Sequence, residues 1–210
     1  MTNNQDVVGS ESFDKLIFGV FFGFLFPACF FLAAFILWFY FFQLVKPLYF
    51  VLSGLFTGLL VDLLILKKLV RRRFELPVWF LILTYLFCNL VMFGMFMGFP
   101  VFNLFLGIIA GYYFGKRVRY NNISFTASKP VIRLVASFTA SVILVICIAS
   151  GYIATVGEGV GSDLQHMFRL NFLITKAMIW EIIWIGGITL IIAEFWLTKF
   201  TMIQIIKKKL

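Results

Sequence analysis

Between Leu16 and Leu197 the chain alternates apolar runs long enough to cross a bilayer with short segments rich in Lys and Arg. A hydrocarbon core about 30 Å thick takes roughly 20 apolar residues of helix, and its interior offers no water to free backbone groups. Such a chain folds as a set of spanning helices. The composition agrees. Of its residues 62% are hydrophobic and 13% charged, against about 25% charged in a soluble domain, and the mean hydropathy is +1.03. The 29 Phe residues read as lipid-facing surface, where Phe serves as readily as Leu. The expected fold is all-α: a polytopic integral membrane protein with six transmembrane helices and both termini cytosolic.

The six runs are Leu16 to Phe42, Pro47 to Leu66, Leu76 to Met97, Val101 to Gly115, Pro130 to Tyr152 and Leu170 to Leu197. Residues 1–15 form a polar segment that lacks the basic start and cleavage site of a secretory signal. Residues 16–200 form the helical domain, and residues 201–210 a basic tail. Pro27 predicts a bend in the first helix, and Gly98-Phe99-Pro100 a tight turn between runs three and four. Run four is short, about 15 residues, so a re-entrant course is its alternative to a full crossing.

Basic clusters at Lys67 to Arg73, Lys116 to Lys129 and Lys207 to Lys209 follow runs two, four and six. Of the 18 Lys and Arg residues, all but Lys46, Arg133, Arg169 and Lys176 fall on one side of the expected topology. The positive-inside rule makes that side cytosolic and the location a cell (inner or plasma) membrane, with the protein crossing it several times. The net charge of +9 then follows from membrane insertion and calls for no nucleic acid. The sequon at Asn122 and Ser124 falls on the cytosolic side, where it is not glycosylated.

Within the last run, Glu181 is expected near the midplane, where an ionised side chain costs about 2.5–3.5 kcal/mol on insertion scales. It must be protonated, paired or facing a cavity. Lys176, five residues away, lies on a different face, while His166 and Arg169 sit in a polar external loop with Glu158 and Asp163. With Asn89 of the third run, Glu181, Lys176, His166 and Arg169 form the candidate site for a small polar solute. Asp62, Arg133 and Glu194 share a depth near the cytosolic face and are candidates for pairing between helices. Gly54 and Gly58 make one GxxxG pair, and Gly107, Gly111 and Gly115 a longer ridge; both are candidate close-packing faces between helices.

No catalytic set emerges: no nucleophile with its base, no phosphate loop, no paired acids. A lone histidine, His166, excludes a His-rich metal site. Cys29, Cys88 and Cys147 lie singly in separate runs and read as free thiols. Neither a metal nor a cofactor is expected. In size, six-span layout and paucity of soluble domain the chain resembles the small substrate-binding membrane subunits of vitamin uptake systems. That resemblance covers architecture and carries over no functional residue, the small residues Gly19, Gly23 and Ala28 of the first run being generic. The function expected is a membrane solute-binding or transport subunit, alone or within a larger complex. Its alternative is a noncatalytic structural subunit packing against partner membrane proteins or a second copy of itself. A membrane enzyme on lipid-linked substrates ranks third, using Arg71 to Arg73 and Lys116 to Arg119 as its basic site.

Overall fold

The computed structural model describes residues 4–41, 46–96, 100–156, 161–162, 165–166, 169, 171–172 and 175–207, with backbone alone for residues 4–13. Phe42, Met97, Gly98, Phe99, Glu158, Asp163, Leu170, Lys208 and Lys209 lie outside the described residues. Among the described residues the elements are helical, without a strand. They are α1 (Asn4–Gly23), α2 (Leu25–Phe41), α3 (Pro47–Arg71), α4 (Val78–Met95), α5 (Leu104–Tyr120), α6 (Phe125–Val156), α7 (Lys176–Glu181) and α8 (Gly187–Lys207). A 3-10 turn at Pro100–Asn103 precedes α5, and a π-helical turn at Ile182–Gly186 joins α7 to α8. Among the described residues, five segments are long and apolar enough to cross a membrane: Asp14–Phe41, Pro47–Arg71, Val78–Met95, Phe125–Val156 and Lys176–Lys207. At 17 residues, α5 is shorter.

Contacts divide the chain into two units, residues 1–84 and residues 85–209. In the first, α1 gives way to α2 at Phe24. The cause is Pro27, which has no N–H to return to the Gly23 carbonyl, while Phe24 and Ala28 keep their bonds to Val20 and Phe24 on either side. α2 and α3 pack as an antiparallel pair. The buried positions of α3, Val51, Gly54, Gly58 and Asp62, recur every three or four residues and so form one stripe. Along it, a Cβ on Gly58 would lie 2.7 Å from the Pro27 Cα and 2.8 Å from the Phe26 carbonyl oxygen, and one on Gly54 would meet the Ala34 Cβ and the Phe30 carbonyl. The opposite face, including Leu52, Phe56, Leu60, Leu63 and Leu64, is exposed.

Because backbone cannot retreat as a flexible side chain can, Gly58→Ala is expected to destabilise the protein by about 1–3 kcal/mol. Gly19→Ala, where a Cβ meets nothing within 4 Å, is expected to be neutral or stabilising by a few tenths of a kcal/mol. Reversible unfolding in mixed micelles separates the two.

In the second unit α8 is the central helix. α5 runs parallel to it, Gly107 facing Glu194, Gly111 facing Thr198 and Gly115 facing Met202 and Ile205. α6 runs antiparallel to it, with Thr139 against Thr198 and Gly151 against Ile183. Val118, Ile132, Val135 and Met202 close the apolar part of this core, with Phe114, Phe125, Val131, Ile203 and Ile206 around them. α6 begins five residues before Pro130, where the sequence places its start. The signal is Ser124, whose Oγ accepts from the Ala127 N–H at 3.4 Å as an N-cap, and Pro130 is absorbed in the second turn.

Candidate functional site

The second unit is polar at its centre and apolar on its surface. Its largest fully buried side chains include Glu194, Asn89, Asn103, Thr139, Thr198 and Ser128, beside Ile143 and Met202. Large apolar groups such as Leu134, Val145, Ile148, Trp184, Ile185 and Trp196 lie outside. In water this arrangement is unfavourable. In hydrocarbon it is the expected one, since apolar contact with lipid costs nothing and polar groups turned inward can find partners there.

Glu194 is one of these groups, with no exposed surface. Gly107 makes room for it: a Cβ there would fall within contact distance of the carboxyl carbon and both its oxygens. The Tyr85 hydroxyl donates to Glu194 Oε1 at 3.0 Å. One turn along α4, Asn89 Nδ2 donates to the Tyr85 carbonyl at 2.9 Å. Asn103, at the start of α5, uses both hydrogens of Nδ2 on Asn89, reaching its carbonyl and its Oδ1 at 2.9 Å each. Since the Thr139 hydroxyl donates to the Ala136 carbonyl at 3.1 Å, the 3.1 Å contact between Thr139 and Thr198 has Thr198 as donor. The helical period thus builds the site: Tyr85 and Asn89 share a face of α4, Asn103 and Gly107 a face of α5, Glu194 and Thr198 a face of α8.

Two acceptors are left over. Glu194 Oε2 and Asn103 Oδ1 have no hydrogen-bond partner among the described residues, and both belong to fully buried side chains. An unmet buried acceptor costs about 1–3 kcal/mol, more when charged, so each of the two calls for a donor of its own. What suits them is a donor or a cation small enough to enter a packed helix bundle.

The remaining candidates are placed differently. The last spanning helix starts at Lys176, not Leu170. Thr175 is extended and caps α7 through its Oγ1, which accepts from the Met178 N–H at 3.3 Å, and Asn171 and Phe172 form a bend. Glu181 then sits about 8 Å from the start of its helix, exposed among Ile182, Trp184 and Ile185. Lys176, His166 and Arg169 are also exposed, Arg169 with a left-handed φ of 52°. Asn89 is buried, and its hydrogen bonds among the described residues go to Tyr85 and Asn103 rather than to Glu181.

Of the charges expected to pair, Asp62 belongs to the first unit, buried on the inner stripe of α3 with Oδ1 unpartnered among the described residues and Oδ2 facing Gly23. Glu194 takes Tyr85. Arg133 is exposed and faces a groove shared with Lys129 and Lys199. Tyr85 and Asn103 are the site residues that sequence reasoning missed; a Tyr four residues before an Asn inside an apolar run was the available signal. Comparison of the chain with protein-family models, curated proteins and solved structures finds no match.

Proposed function

We propose that this chain is a membrane solute-binding or transport subunit whose second unit takes up a small cation or ammonium-bearing solute at Glu194. The single observation carrying the reading is the pair of unmet acceptors, Glu194 Oε2 and Asn103 Oδ1, in a fully buried polar cluster. An ionisable group held inside a membrane helix bundle is a functional site by default. In this reading the protein crosses a cell membrane six times with both termini in the cytosol, and α5 is a full crossing. Its parallel course along α8 from Gly107 to Gly115, about two turns, supports that. The structural-subunit alternative relied on the glycine ridges as docking faces for other proteins. Gly54 and Gly58 lie under α2, and Gly107, Gly111 and Gly115 under α8, which favours the solute reading.

Glu194→Gln keeps the acceptor for Tyr85 and removes the charge, so it isolates binding from folding. The purified protein is heated in lithium, sodium, potassium or ammonium chloride at equal ionic strength. One of these cations is expected to raise the wild-type midpoint, as a ligand at 100 times its Kd stabilises by about 2.7 kcal/mol, and to leave Glu194→Gln unmoved. A shift shared equally by all four salts, or retained by Glu194→Gln, removes the reading.

A further inference from the structure

A second site lies on the outside of the same unit. α6 presents Phe125, then Lys129 four residues on, then Ile132 and Arg133 three and four residues beyond Lys129, and α8 presents Phe195, Lys199 and Ile203 at spacings of four; these seven residues line one groove of about 260 Å³. Because the two helices are antiparallel, the cations of both converge on it. None of the seven is acidic. The Lys199 ammonium rests over the rings of Phe195 at 5.8 Å and Trp196 at 5.3 Å, and Lys207 over Phe125 at 5.1 Å. Three positive side chains therefore converge on a groove walled by apolar and aromatic groups, with aromatic faces packed against Lys199.

The position along the helices identifies what fills it. From Arg133 to the end of α6 at Val156, and from Lys176 to Lys199, the chain runs about 35 Å in each case, enough to cross a hydrocarbon core of about 30 Å. Arg133 and Lys199 thus stand at one boundary of that core, at the depth of lipid phosphates. Flanking the groove, Leu134, Ile192, Trp196 and Phe200 are exposed and apolar, as acyl chains require. A soluble phosphate would match the cations and leave these walls unused. We propose that the groove between α6 and α8 binds the headgroup of an anionic phospholipid, its phosphodiester held by Lys129, Arg133 and Lys199 and its chains lying along the flanking surface. Basic recesses between membrane helices at this depth suit such headgroups on charge and shape. The site is independent of Glu194.

The test is native mass spectrometry of the full chain released from nanodiscs of equimolar phosphatidylglycerol and phosphatidylcholine. The wild type is expected to retain phosphatidylglycerol in preference, and the Arg133→Gln/Lys199→Gln double variant to lose at least tenfold of that preference. Lys67→Gln/Lys68→Gln, which removes two exposed charges from α3, is expected to change it less than twofold. Inorganic phosphate at millimolar concentration should not displace the lipid. Equal preference in the groove variant, an equal loss in the α3 variant, or displacement by phosphate each overturns the proposal. Should the double variant not fold, exposed Lys129→Gln supplies the reading alone: a threefold or greater loss supports the site, and no loss overturns it.

Discussion

Gly111→Leu is expected to separate α5 from α8 and destabilise the second unit by about 3 kcal/mol or more, the upper end for overpacking. At this position a Cβ would approach the Thr198 carbonyl oxygen to 2.6 Å and the Thr201 Cβ to 3.2 Å. Neither obstacle is the free end of a flexible chain, so the helices must part. Inside a bilayer the loss is felt fully, because helix association there rests on close van der Waals packing with no hydrophobic term to replace it. Gly94→Leu is the matched control: a Cβ on Gly94 has nothing within 4 Å, and its effect should stay within about 0.5 kcal/mol. Unfolding in mixed micelles, followed by Trp fluorescence, compares them. Equal stability of the two variants would show that α5 does not depend on its glycine face.

Gly107→Ala acts on the same interface and reaches the acid. The new methyl must displace the Glu194 carboxyl, and with it the acceptor of the Tyr85 hydroxyl. We expect a loss of about 1–3 kcal/mol, and a similar loss for Tyr85→Phe, which leaves buried Oε1 without its donor. The informative quantity is the double variant. Once the hydroxyl is gone, moving the carboxyl forfeits less, so the two changes should fall short of additivity by about 0.5–3 kcal/mol. A cycle that closes within about 0.3 kcal/mol would mean that the carboxyl does not move when Gly107 gains its methyl.

The helical class and the membrane setting were legible in the sequence because run length and hydropathy act locally. Helix ends were less so. Thr175 and Ser124 cap their helices through single hydrogen bonds of 3.3 and 3.4 Å, and neither stands out beside the apolar runs that dominate the reading. The six-residue difference at Lys176 then relocates Glu181, which is how a local cap changes a functional expectation. The spacing of Gly107, Gly111 and Gly115 exposes a bare backbone face, yet which helix lies upon it depends on tertiary arrangement. For the same reason Glu194 was legible as a buried charge while its partner was not. A tyrosine hydroxyl 109 positions away leaves no periodic trace.

The shared direction of α5 and α8 has an electrostatic consequence. Two parallel helices in contact set like ends of their macrodipoles side by side, and the partial negative charges of their last carbonyls repel. Arg117 and Arg119 occupy the last turn of α5, and Lys207 the last turn of α8. Arg119 crosses between them, its Nη1 donating to the Ile205 carbonyl at 3.4 Å. That bond sets a positive charge between the crowded carbonyl ends and offsets part of their repulsion, irrespective of which way the chain inserts.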